Sequence, residues 1–132
     1  MHVRDNEKVV GRILPCVREV AERLGPGSDL QEYEAALDRR MRESKLQFAR
    51  QYPIGVPFDG PPERGFRADF IVGGWVLLEL QRVAELTAEQ NDLALNYLRE
   101  SGCDLCLLIN FGKSRAEVRR ILPSGDWRIE VG

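Results

Sequence analysis

Cysteine and histidine are scarce in this chain. Its 132 residues hold three cysteines, Cys16, Cys103 and Cys106, and a single histidine, His2. The odd cysteine count argues for free thiols rather than a disulfide framework. Cys103 and Cys106 have a zinc-like spacing, but Cys16 and His2 are the only other soft ligands, which falls short of a convincing four-ligand site. Small apolar packing is the expected role of these cysteines. No apolar run reaches the roughly 18 residues of a membrane span, and the N-terminus lacks the charged-then-apolar pattern of a signal. The reading is therefore a cytoplasmic protein without a membrane partner. An excess of one charge is missing too. Lys and Arg number 19 against 21 Asp and Glu, a net charge of −2. The chain is no polycation, and any nucleic-acid contact must use a local patch. Repeats, low-complexity tracts and interdomain linkers are absent, and the length suits one domain over residues 1–132.

What is present reads as alternating helices and strands. Residues 5–24 carry Val9, Val10, Ile13, Val17, Val20, Ala21 and Leu24 near a helical period. Pro15 interrupts this run, so a kink or break near Leu14, or a second segment starting at Pro15, is expected. Ser28 or Asp29 caps a second helix reaching Ser44, with Leu30, Tyr33, Leu37 and Met41 as its apolar stripe. Glu32 and Glu34 fall on other faces of that helix and are expected to be solvated. A strand over residues 47–56, with Pro53 and Pro57 suggesting an edge, leads to a turn over residues 59–65. After Gln81, residues 84–101 read as a helix, with Thr87 and Gln90 as a capping box and Gly102 as its stop. The apolar run Leu105–Phe111 suits a strand buried on both faces, reached by a helical crossover. Residues 118–122 and 127–131 read as further strands around a turn at Pro123-Ser124-Gly125-Asp126.

The stretch from Phe66 to Gln81 organises the rest. It reads as two apolar strands joined at Gly73-Gly74, each holding one carboxylate, Asp69 and Glu79. A carboxylate in a strand that is apolar on both sides is expected to be at least partly buried. It then needs a partner, a proton or a metal. Arg67 or Arg82 could pair with Asp69; Glu79 could pair likewise or hold a backbone group. Two carboxylates on adjacent strands can also share a divalent ion. The loop length decides between these. A two-residue turn pairs Val72 with Trp75 and separates the carboxylates. A three-residue loop over Val72-Gly73-Gly74 pairs Ile71 with Trp75 and puts Asp69, Glu79 and Gln81 on one face.

Several short motifs occur in order between residues 10 and 122. They are Leu24-Gly25-Pro26-Gly27, Tyr33-Glu34, Phe66-Arg67-Ala68-Asp69, Leu78-Glu79-Leu80, Asn96-Tyr97-Leu98 and Leu108-Ile109-Asn110-Phe111-Gly112. In this order and spacing the chain resembles the bacterial GxxExxY family of the PD-(D/E)XK nuclease superfamily. The resemblance implies an α/β fold with a restriction-endonuclease-like core, a mixed central sheet flanked by helices. It also implies a magnesium- or manganese-dependent nuclease acting on DNA or RNA. Asp69, Glu79 and the Leu80 carbonyl would hold the ion, and Gln81 would complete the catalytic set.

The departures are as informative. Leu30 stands where the family has the Glu of GxxExxY, Gln81 where it has the Lys of Glu-X-Lys, Leu93 for a Gln and Ala21 for a His. Gln81 can orient a water or donate to a phosphate oxygen, but supplies no full charge. Losing such a charge costs on the order of 100-fold in rate. Gln51, Glu19 and Gln90 are candidates to have migrated into the site. Two functions follow: a nuclease with a reduced site, or a catalytically inactive nuclease-fold protein that binds nucleic acid, a protein partner or a second copy of itself. Phosphate contacts would come from Arg39, Arg40, Arg42 and Lys45, or from Lys113, Arg115, Arg119 and Arg120. Helix-end and solvated roles compete for the first cluster.

Overall fold

The computed structural model describes residues 5–54 and 66–130. The turn expected over residues 59–65 lies outside them. Three helices and six strands follow in the order α1 (Asn6–Leu24), α2 (Leu30–Glu43), β1 (Phe48–Ile54), β2 (Phe66–Val72), β3 (Val76–Gln81), α3 (Ala88–Ser101), β4 (Leu105–Asn110), β5 (Glu117–Ile121) and β6 (Trp127–Ile129). The strands form one sheet in the order β1-β2-β3-β4-β5-β6. Among the described residues only β3 and β4 pair in parallel, joined through α3; the other neighbours are antiparallel. This is the expected mixed α/β sheet flanked by helices.

Two apolar layers hold it together. Val10, Ile13, Val17, Tyr33, Leu37 and Met41 of α1 and α2 pack on one side of the sheet. Leu86, Ala94 and Leu98, around α3, pack on the other. Strand β4 serves both: Leu105, Leu107 and Ile109 join the first layer, Cys106 and Leu108 the second. That is why LCLLIN is continuously apolar rather than alternating. All three cysteines are buried free thiols, and burial pushes the Cys106 thiol well up.

Helix α1 runs unbroken through Pro15, against the expected break. A mid-helix proline costs about 3 kcal/mol. Val10 and Ile13 before it, and Cys16, Val17 and Val20 after it, are all buried. Burying side chains of this kind is worth about 1.5–3 kcal/mol each, which is enough to hold both halves in one helix. Helix α2 is capped by Asp29, which accepts the Glu32 N–H at 2.8 Å, rather than through Ser28 and Gln31. Helix α3 starts at Ala88, four residues later than the periodicity suggested, with Thr87 as its N-cap and the Thr87–Gln90 capping box in place, and stops at left-handed Gly102.

The tight connection between α1 and α2 has a single pin. Tyr33 is fully buried and stacked on Phe111, ring centroids 4.5 Å apart. Its hydroxyl donates to the Gly25 carbonyl and accepts the Ser28 N–H. The Gly-Pro-Gly turn and the tyrosine after it are thus one structural unit. Tyr33→Phe leaves two half-buried backbone groups short of a partner and should lower unfolding free energy by about 1 kcal/mol in urea titrations.

The hairpin closes through a three-residue loop, Gly73-Gly74-Trp75, with Val72 paired to Val76. Both glycines are left-handed, φ +62° and +85°, a region they enter without penalty. The loop is odd, as a shared carboxylate face requires, but lies one residue further along than expected. Ile71 therefore pairs with Leu77, not Trp75.

Candidate functional site

The ladder between β2 and β3 ends at Phe70↔Leu78. One step beyond, Asp69 and Glu79 come opposite each other on one face. There the Asp69 carboxylate accepts the Leu80 N–H at 2.7 Å, taking the place of a ladder bond. Glu79 is buried, and its Oε1 has no hydrogen-bond partner among the described residues. Neither carboxylate forms an ion pair there, so Arg67 and Arg82 do not neutralise them.

Electrostatics follow from this isolation. Burial pushes the Asp69 acid up to about 6, with the Glu34 charge adding to the rise and the Leu80 N–H opposing it. Burial and the neighbouring Asp69 charge push Glu79 up to about 9, with the Asp69 backbone N–H opposing the rise. The pair thus keeps one proton at neutral pH.

The pair faces a cavity of about 200 Å³, to which Leu80 and Gln81 also contribute. Its walls come from the start of α2, at Leu30, and from α3, at Gln90, Leu93 and Tyr97. Gln81 ends β3, and its backbone carbonyl accepts the Phe111 N–H at 2.8 Å. A larger groove of about 520 Å³ between α1 and α2 contains neither carboxylate. The two perturbed acids both line the smaller cavity.

Strand β1 contributes a bend at this point. Phe48 and Phe70 pack on the α1–α2 side, whereas Ile54 and Ala68, of the same parity, pack on the α3 side. The alternation reverses at Gln51, whose φ is +53°. The β1–β2 register sets Gln51 opposite Asp69. Its side chain donates to Glu34 at 2.6 Å and helps hold the Asp69 acid down.

Glu34 corrects the sequence reading. It is largely covered, bonded by Arg50 at 2.9 Å as well as by Gln51. Its charge reaches both Asp69 and Glu79. One signal was available: Glu34 lies a helical turn after Leu30, on the same face. Tyr97, read as an apolar contact, also borders the cavity, and its phenol is pushed up by burial and by the two carboxylates. Of the other migration candidates, Gln90 caps α3 and Glu19 pairs with Arg40.

None of the eight cations singled out from the sequence lines this cavity. Arg40 pairs with Glu19 and Arg42 with Asp38. Lys113 bridges Glu85 and Glu117, and Arg119 pairs with Glu117 while lying 4.3 Å above the Trp127 ring. Arg120 is buried between Glu7 and Glu130. Arg39, Lys45 and Arg115 are exposed.

No group of three or more His, Cys, Asp and Glu side chains converges as a metal site among the described residues. The acidic pair nevertheless suits a divalent cation. One oxygen is buried without a partner, both acids are destabilised by burial, and no cation offsets them. Magnesium characteristically takes one or two carboxylates and completes its shell with water and phosphate.

The mixed six-strand sheet flanked by three helices has the α/β restriction-endonuclease-like architecture that the resemblance implies. A family model described as the PD-(D/E)XK nuclease superfamily matches residues 7–121, and the chain belongs to that superfamily. No curated protein and no solved structure matches it. Nucleases of this superfamily generally use divalent metals. No helix among the described residues is long and apolar enough to cross a membrane.

Proposed function

We propose that the protein is a divalent-cation-dependent nuclease of the GxxExxY type, with Asp69 and Glu79 as cation ligands and Gln81 in the usual lysine position. The observation that carries this reading is the buried, unbonded Glu79 Oε1 beside the Asp69 carboxylate, which accepts the Leu80 N–H but has no ion-pair partner among the described residues. A buried carboxylate oxygen left without a donor fits a site completed by a cation.

When bound, magnesium or manganese supplies Lewis-acid polarisation of a phosphodiester and a more acidic water. The Leu80 N–H fixes the orientation of the Asp69 carboxylate. Glu79 gives up its remaining proton on becoming a ligand. Gln81, at the end of β3, holds a water or donates to a phosphate oxygen. It carries no charge into the transition state, so turnover falls on the order of 100-fold below that of a lysine-bearing site.

A second reading is favoured by the cavity rim. Leu30 and Leu93 stand 39% and 43% exposed where the resembling family carries Glu and Gln. On this reading the fold binds nucleic acid, a protein or its own copy without turnover. Exposed Arg39, Lys45 and Arg115 would serve a phosphate backbone.

Thermal unfolding with and without manganese and magnesium separates the two. The wild type should gain stability, about 2.7 kcal/mol at a hundredfold excess over Kd. Asp69→Asn and Glu79→Gln should gain none. DNA and RNA cleavage assays then measure activity. No shift in the wild type, with variants folding as well or better, would leave the binding reading.

A further inference from the structure

We propose that Arg67 supplies the phosphate-binding positive charge that Gln81 lacks, docking a nucleic-acid backbone at the mouth of the Asp69–Glu79 cavity. The inference deepens the nuclease reading of this cavity but does not require that a cation be bound.

Arg67 lies on β2, two residues before Asp69, and is exposed. Among the described residues it is the one cation lining the cavity that Asp69, Glu79 and Gln81 also line. Its guanidinium is not spent on either carboxylate. Its single hydrogen bond there, from Nη1 to the Gln51 carbonyl, is long at 3.5 Å. Its other donors have no partner among the described residues, and a guanidinium offers phosphate a planar, two-pronged contact.

The backbone opposite is shaped for this. Gln51 is a non-glycine residue in the left-handed region, which costs roughly 1–2 kcal/mol. That conformation turns the Gln51 carbonyl to Arg67 while its amide goes to Glu34. Strain of this sort persists where the surroundings enforce it, commonly at binding sites. Arg40, Arg42, Lys113, Arg119 and Arg120, by contrast, are all tied to carboxylates. Arg67 is the positive charge placed where a phosphate would meet the acidic pair.

Fluorescence anisotropy with labelled single-stranded and duplex DNA oligonucleotides, in EDTA and in calcium, over a range of salt, tests this. Arg67→Ala and the near-isosteric Arg67→Gln should weaken binding about ten-fold and reduce the slope of log K against log salt by about one. Arg67→Lys should keep the salt slope, because it keeps the charge, while losing part of the affinity with the two-pronged contact, and Arg128→Ala, an exposed cation on β6, should change affinity less than about two-fold. Gln81→Lys placed in the Arg67→Ala background should restore binding, which a purely structural role for Arg67 would not permit. Unchanged affinity and salt slope in both neutral variants overturns the proposal. So does a wild type that binds neither oligonucleotide in either condition. The manganese shift in thermal unfolding, measured on the same samples, judges the cation site separately. Arg67→Ala should keep the full shift while binding the oligonucleotide about ten-fold more weakly. A wild type with no shift but Arg67-dependent binding would fail the cation reading alone.

Discussion

Glu79→Gln should be more stable than the wild type at neutral pH when divalent cations are absent. The Glu79 acid lies at 4.5 in its unperturbed state and is pushed to about 9 in the fold. A group whose folded value is raised contributes most favourably below its unfolded value and loses that contribution as pH climbs to the folded one. Wild-type stability should therefore fall from about pH 4.5 towards pH 9. At pH 7 the penalty is about 3 kcal/mol, the work of keeping a proton that the unfolded chain has released. Asp69, raised from 3.8 to about 6, adds a decline that is complete by neutral pH. Glutamine has no such proton to hold. Urea titrations at pH 4.5, 7 and 9 should show the two proteins nearly equal at the lowest pH and diverging upwards. Saturating manganese should reverse the order, because only the wild type has both ligands. If the variant is the less stable protein at pH 7 without metal, the Glu79 carboxylate is held by a favourable interaction, and the argument from its isolation fails.

The sequence made the carboxylate pair conspicuous because an acid between apolar neighbours is rare on both counts, pattern and energy. It also made the loop parity decisive, since side chains in a strand alternate strictly. The exact register was less accessible. Loops over Val72-Gly73-Gly74 and Gly73-Gly74-Trp75 have equal length, and only two adjacent left-handed glycines select the second. Glu34 falls outside the apolar stripe of Leu30, Tyr33, Leu37 and Met41, but that stripe does not define the whole inward arc of α2. A helix at the rim of a sheet also has a flank, and Leu30, Glu34 and Asp38 occupy it. Asp38 and Glu34 both accept from Arg50 there. The bend at Gln51 left no trace in composition, since glutamine has no preference for a left-handed backbone. The basic clusters looked available because their partners are remote in sequence: Arg120 meets Glu7 across 113 positions. A charge run can be counted from the chain, whereas its neutralisation depends on tertiary contacts.

Gly112→Ala should be among the most damaging small substitutions in the protein, lowering unfolding free energy by about 3 kcal/mol or more. A Cβ at this position would lie 2.2 Å from the Val83 carbonyl oxygen and 2.6 Å from the Val83 nitrogen. These are backbone atoms, so no side-chain rotation relieves the clash. The two chain segments are also bound together. Fully buried Asn110 donates to the Val83 carbonyl at 2.9 Å and accepts from the Val83 and Gly112 N–H groups, each at 2.9 Å. The Asn-Phe-Gly sequence at the end of β4 is therefore a clasp on the exit of β3, and the resemblance in that motif has a structural cause. Asn110→Ala, which leaves those three half-buried backbone groups without their partner, should also be strongly destabilising. Val83 is two residues beyond Gln81, whose carbonyl is bonded to the Phe111 N–H. A shift forced at Gly112 therefore reaches the cavity. Any folded Gly112→Ala protein should show a weakened manganese shift as well as a lower melting temperature. A variant that melts like the wild type would mean that the two strand exits separate freely, and Gln81 would then lack the fixed position that its role beside the acidic pair requires.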